Sequence, residues 1–498
     1  MFKSIFTFSF FTAISRILGL IRDVLIATVI GATSLADIFF SSFRFANLFR
    51  SFFAEGAFTT SFIPLYSAES YDNKKAFNFA SSVISITFII LVIFCLITQT
   101  FFPYMIKIFT PGFDQNKFTF TVTLSKIMMP YIIFVSIASL IGGMLQVKQH
   151  FASTAISPII LNLCLIISLF LPYTETPAHN LSIAVLIGGI LQLLLIIFSA
   201  YKLKAFFSFS LELSNEVKLF FKRVIPAIIN NCVIQISVWI DTIMASFIPN
   251  AVSYIYYADR LNQLPQGVIG TAIGTVLLPL ISKRINDTEN IVKIQNKALN
   301  IGLILIMPIT AAFIIIPDII LLTLFSYGRF DYYAVQQTVP TLVAFSLSLP
   351  AFIINKVLLP TFFARGKLKI PTMFSLTCLG INVILNLILM NKYQHIGIAI
   401  ATSISTWINS ILLINYLTIN KMYKISQALL LNIVKILTAT LVMSIVLYLS
   451  NYLSAGLFFD RGLARIVYLV TLIALSVIIY SSTLYLIFRG NLNNLKYV

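Results

Sequence analysis

Five arginines stand where an apolar chain tolerates them least. Arg16, Arg22, Arg44 and Arg50 lie in the first two apolar segments, and Arg260 lies in the eighth. Asp23, Asp37 and Glu55 accompany the first group, and Asp259 sits beside Arg260. A guanidinium is a planar fork suited to phosphate or carboxylate oxygens. One Arg at the centre of a membrane helix costs about 2.5–3.5 kcal/mol on insertion scales, so five facing lipid would cost about 12–17 kcal/mol. They must line a wet cavity, pair with acids, or reach an interface. Taken singly, Asp23 can neutralise Arg22, Asp259 can do the same for Arg260, and Arg16 and Arg50 can sit near a surface. Taken together, cations outnumber acids, which predicts a net-positive cavity for an anion. Several arginines in one cavity suit a diphosphate better than a monocarboxylate.

Other polar residues fall inside apolar runs. Asp241 lies within Ser237-Val238-Trp239-Ile240-Asp241-Thr242 and reads equally as a cation or proton site or as an Arg partner. The run Tyr256 to Gly267 is too polar to face lipid, and Pro265 is expected to interrupt its helix. Gly270 and Gly274 form a GxxxG read as helix packing. Lys126, Lys356 and Lys435 read as interfacial snorkelers. The four cysteines, Cys95, Cys164, Cys232 and Cys378, are far apart in apolar runs, and the three histidines fall in different loops. Neither set has metal spacing. No nucleotide-binding, zinc-protease or serine-hydrolase motif stands in a suitable setting, so no nucleotide hydrolysis and no enzyme chemistry is expected.

The elements that must position these residues are membrane helices. The chain has 498 residues, 59% of them hydrophobic and 10% charged, with mean hydropathy +0.97. A soluble domain carries about 25% charge. Apolar segments fall at 5–30, 34–64, 79–104, 121–146, 154–172, 181–201, 222–248, 251–282, 298–317, 335–363, 370–390, 396–418, 427–450 and 464–488. The expected fold is an all-α polytopic membrane protein of about 14 helices. No cleavable signal is expected, because the apolar stretch before Arg16 has no cleavage site. The net charge of +18 is mostly loop Lys and Arg rather than a nucleic-acid surface. About 20 basic residues fall on the side of the termini and about six on the other, which predicts cytoplasmic termini.

A self-alignment supports two lobes. At an offset of 216 Arg44 meets Arg260, and at 215 Ala57, Pro64, Leu65 and Ser67 meet Ala272, Pro279, Leu280 and Ser282. At 218 Asp23 meets Asp241. Six helices per unit give a parallel repeat about an axis along the membrane normal. The expected units are 1–215, 216–425 and a C-terminal helix pair, 426–498. Such two-lobed folds carry solutes by alternating access.

The run Ser15-Arg16-Ile17-Leu18-Gly19-Leu20-Ile21-Arg22-Asp23 resembles the opening signature of the MurJ (MviN) lipid II flippase family, within the multidrug/oligosaccharidyl-lipid/polysaccharide exporter superfamily. So do Ala36-Asp37-Ile38-Phe39-Phe40, Phe43-Arg44 and the block from Asn47 to Phe58, and Tyr256 to Gly267 looks like the family's second signature. The resemblance implies transport of lipid-linked peptidoglycan precursor from the cytoplasmic to the periplasmic leaflet of the bacterial inner membrane. It places Arg16, Arg22, Arg50 and Arg260 in a cationic cavity, and the residues themselves add Arg44 to the expected substrate-binding set. It maps family acids onto Asp37 and Glu55, expected to pair with arginines in one state and release them in the other, and Asp23 and Asp259 join them as ion-pair or gating residues because they adjoin Arg22 and Arg260. It makes the last two helices a groove for the polyprenyl tail. Some members hold sodium, which would fall to Asp241 with Asn382, Asn386 and Thr402. Where those members carry a further acid, this chain has Asn386. No other cofactor is implied. The expected partners are lipid II, membrane lipid and proteins of cell-wall synthesis, with the chain itself a monomer. The alternatives are a flippase for another polyprenyl-diphosphate glycan and a non-transporting cell-wall scaffold. A cationic-drug exporter would want acids in the cavity, and a lipid-diphosphate transferase would need clustered carboxylates at one interface.

Overall fold

The computed structural model describes residues 2–53, 57–453 and 462–488, so Glu55 lies outside the described residues. Among them every regular element is helical. In chain order these are α1 (Phe2–Ile30), α2 (Ser34–Phe53), α3 (Ala57–Glu69), α4 (Asn73–Phe109), α5 (Gln115–Met128), α6 (Tyr131–Val147), α7 (Ala152–Ser168), α8 (Pro177–Lys202) and α9 (Asn215–Ser246). Then come α10 (Ala251–Pro265), α11 (Thr271–Ser282), α12 (Thr288–Ile315), α13 (Pro317–Phe325), α14 (Tyr332–Ser346), α15 (Leu349–Ala364), α16 (Lys369–Ile419), α17 (Gln427–Leu453) and α18 (Gly462–Phe488). Over the described residues each apolar segment coincides with one helix or with consecutive helices. Nine described stretches are long and apolar enough to cross a membrane.

Several of the few acids in the chain serve as helix caps. Asp72, Asp114, Asp287 and Asp331 each accept a backbone N–H in the first turn of α4, α5, α12 and α14. These caps satisfy donors that a helix start otherwise leaves orphaned.

Two helices are irregular, each for a local reason. Proline lacks an N–H and crowds the preceding turn. At Pro265 the chain nevertheless stays helical, widening into a π turn over Gln266–Gly270 before α11. The expected interruption is thus a bulge rather than a break. In α16, Gln394 takes φ 50° and ψ −133°, which separates the segments expected at 370–390 and 396–418 by a sharp kink.

The helices form two compact units, Met1–Ser253 with Tyr327–Phe330, and Tyr254–Ser326 with Asp331–Val498. Packing therefore does not divide the chain at 215/216. The helix α9 packs on α2, α3 and α4 in the first unit. Its Val217, Phe220 and Val224 join Phe58, Phe62, Phe79 and Ile141 in one buried cluster. A sequence repeat follows the order of spans, whereas a compact unit follows whichever apolar face is covered. In lipid, close approach replaces hydrophobic drive: a Cβ on Gly189 of α8 would meet the Tyr131 ring of α6 at 2.5 Å. In the second unit α11, α12, α15 and α16 bury Leu277, Leu299, Val357, Leu358 and Leu413. There α17 packs on α12, and α18 packs on α17 and α13.

Candidate functional site

The polar residues of α1 and α2 are built into the first unit by partners from distant helices. Arg22 is 5% exposed and Asp23 is fully buried. The Arg22 guanidinium donates to Asp23 Oδ1 from Nε at 2.9 Å and from one terminal nitrogen at 2.7 Å. Its other terminal nitrogen donates to Asn162 Oδ1 of α7 at 2.9 Å, and the Asn162 amide donates to the Ser15 carbonyl at 3.0 Å. The guanidinium carbon also lies 5.9 Å from the centre of the Phe43 ring of α2. Arg22 is thus fixed in direction and neutralised locally. It can offer an anion only the donor capacity that Asp23 and Asn162 leave or yield.

Asp37 is fully buried in the first turn of α2. Its Oδ1 accepts from the Ser253 backbone N–H at 2.9 Å and from the Ser253 hydroxyl at 2.8 Å. Ser253 lies in the first turn of α10, so Asp37 places an anion at the positive end of that helix. Lys117 Nζ approaches Asp37 Oδ2 at 3.6 Å. The partner of Asp37 is a lysine here, because α5 packs on α2 and its first turn brings Lys117 to it. The short strap Tyr327–Phe330 makes a similar cap. The Arg329 N–H donates to the Thr28 carbonyl at 2.8 Å, satisfying an acceptor at the C-terminal end of α1. Gly31 (φ 73°) and Gly328 (φ 59°) supply the left-handed turns, and a Cβ on either would strike backbone of the other segment.

The remaining arginines are only half-buried. Arg44 donates to Thr242 Oγ1 of α9 at 2.8 Å. The space beside it, lined by Ser41, Phe45, Ile106, Phe109 and Trp239 among others, is about 10 Å³. That space holds at most one water. Arg50 Nε donates to Asn47 Oδ1 at 3.0 Å within α2. Arg16, also half-buried, makes no hydrogen bond or ion pair among the described residues. In the second unit, Arg260 follows Asp259, whose Oδ2 accepts from the Gln263 amide one turn later at 2.6 Å.

The family model described as Lipid II flippase MurJ matches residues 26–469. This chain belongs to the MurJ family. A probable lipid II flippase MurJ of Rickettsia prowazekii is 37% identical over 99% of this chain and 99% of its own. A lipid II flippase MurJ of Burkholderia cenocepacia is 30% identical over 89% of each. A solved lipid II flippase MurJ in an inward closed conformation aligns with TM-score 0.82 and 27% identity, covering 97% of this chain and 99% of that one. An inward-facing multidrug transporter of the MATE family aligns at TM-score 0.68 and 15% identity over 82% of this chain and 95% of its own, which shows a shared fold.

The sodium ligands suggested by resemblance to the MurJ family divide between the two units. Asn382, Asn386 and Thr402 come together in the second unit. The Asn382 amide donates to Thr402 Oγ1 at 3.3 Å, and the Asn386 amide donates to Asn382 Oδ1 at 3.1 Å. Asp241, 8% exposed, belongs to the first unit. The trio is neutral, and Asn382 Oδ1 and Thr402 Oγ1 accept from amides within it; no step is derived through a sodium ion. Sequence reasoning missed Asn162, Lys117, Ser253 and Thr242 as partners of the charges in this MurJ-family chain. All four are ordinary residues 80 to 216 positions away from the charge they serve, and nothing local marks them.

Proposed function

We propose that this chain flips lipid II, the undecaprenyl-diphosphate-linked disaccharide-pentapeptide, from the cytoplasmic to the periplasmic leaflet by alternating access. The observation that carries the reading is the MurJ family match over residues 26–469. Arg16, Arg22, Arg50 and Arg260 are proposed to receive the diphosphate. Arg16 supports this best, since it has no partner among the described residues. Arg22 enters the reaction already oriented by Asp23 and Asn162, so it acts by positioning at least as much as by charge. Asp37, held by Ser253 and Lys117, is proposed to change partners between the two states. The tail is proposed to lie along α17 and α18, whose outward residues Leu441, Tyr448, Val470 and Ile478 are exposed and apolar. Both termini are assigned to the cytoplasm from the distribution of Lys and Arg. The protein is proposed to act as a monomer in the bacterial inner membrane.

The test is complementation of a bacterium depleted of its own lipid II flippase, beside Arg22→Ala and Arg260→Ala at matched membrane levels. Rescue by the parent chain alone supports substrate and arginines together. Rescue by all three keeps the substrate and removes the arginine mechanism. No rescue by the well-expressed parent moves the substrate to another polyprenyl-diphosphate glycan.

A further inference from the structure

A second cationic site lies in the second unit, away from the arginines discussed above. A cavity of about 450 Å³ opens where the start of α12 meets the start of α17. Arg284, Lys293 and Lys297 line it with Asn300 and Asn432, and Asn290, also in the lining, donates its amide to Asp287. Lys293 pairs with Glu289 at 2.8 Å, while Arg284 and Lys297 have no ion pair among the described residues. The Asn300 Oδ1 is buried and makes no hydrogen bond among the described residues. The site is built rather than incidental. The Asn296 amide donates to the Lys424 carbonyl at 3.0 Å, and the Tyr423 hydroxyl donates to Asn296 Oδ1 at 2.8 Å. These two bonds tie α12 to the segment leading into α17. The N-terminus of α17 then adds the positive end of its helix to the cavity.

The surroundings say what kind of anion fits. From the cavity α17 continues with Leu430, Leu431, Val434 and Leu437, all exposed and apolar. A ligand with a phosphate at one end and a hydrocarbon chain at the other matches both parts. The segments 283–297 and 421–424 are also both assigned from the sequence to the Lys/Arg-rich face, where a surface of anionic lipid attracts each Lys or Arg. We propose that this cavity binds the phosphate of an anionic membrane phospholipid, whose acyl chains lie along α17 and hold it against α12. This site neither requires nor tests the flipping reaction.

The test uses the full chain in phosphatidylcholine nanodiscs doped with phosphatidylglycerol, with bound lipid counted by native mass spectrometry. Arg284→Gln with Lys297→Gln should weaken phosphatidylglycerol retention about tenfold or more and flatten its salt dependence. Lys74→Gln with Lys75→Gln removes the same charge from the first unit and should leave retention within about twofold. All four residues are exposed, so thermal melting should match the parent and exclude misfolding as the cause. Equal loss in both double variants, or no loss in either, overturns the site. Displacement of the lipid by inorganic phosphate that itself binds the parent, and not the Arg284/Lys297 variant, would assign the site to a soluble anion and overturn the lipid occupant.

Discussion

Replacing Asp23 by Leu tests whether the buried cluster around Arg22 is a structural device, a substrate device or both. The substitution removes the acceptor of two Arg22 hydrogen bonds, at 2.9 and 2.7 Å, and leaves Asn162 alone facing a guanidinium that is 5% exposed. Breaking a buried ion pair from one side costs about 3–5 kcal/mol, because the surviving charge stays uncompensated. Removing both partners, with Arg22→Met and Asp23→Leu, eliminates the stranded charge. The Asn162 acceptor then lacks its Arg22 donor, at about 1–3 kcal/mol, while its amide still holds Ser15. The double variant should therefore be more stable than Asp23→Leu, against additivity. Thermal melting in detergent and denaturant titration would measure the order. Transport is then assayed on the same three proteins. The single variant should lose stability and flipping, and the double variant should regain stability without regaining flipping. Two results refute the reasoning. If Asp23→Leu melts with the parent, the ion pair carries no weight. If the double variant flips lipid normally, Arg22 is purely architectural and contacts no diphosphate.

Three further outcomes follow from the same contacts. Ser253→Ala should cost about 1.5–3 kcal/mol, because buried Asp37 loses a 2.8 Å hydroxyl hydrogen bond to its carboxylate, whereas Lys117→Met, which removes a partly exposed counter-charge at 3.6 Å, should cost less; melting of the two variants compares them. Gly328→Ala should cost at least about 1–2 kcal/mol, since φ is 59° and the new Cβ meets the Thr28 carbonyl, and hydrogen exchange at the end of α1 should rise. Pro265→Ala should restore the missing N–H and let the π turn relax toward regular α-helix. A shift of flipping rate at unchanged expression would show that the bulge matters, and unchanged rate with tighter amide protection would make it passive.

The all-helical membrane class was legible in the sequence for a simple reason. Lipid forces every backbone group to be satisfied within its own segment, so apolar length alone implies helices. The same cost makes each intramembrane charge conspicuous, which is why Arg22, Asp23, Asp37 and Arg44 stood out before any coordinates. The Arg22–Asp23 pair was also readable, being adjacent in the chain. What stood outside local sequence was the other half of each contact. That Asp37 would meet Lys117 and cap α10, or that Arg44 would donate to Thr242, depends on helices 80 to 216 residues apart coming into register. Nor did the repeat show that α9 packs with the helices preceding it, or that the strap at Tyr327–Phe330 caps α1. Burial energetics dictate that such charges find partners, but many polar residues qualify. Only the packed chain selects among them, because that choice is made by distance and direction in space.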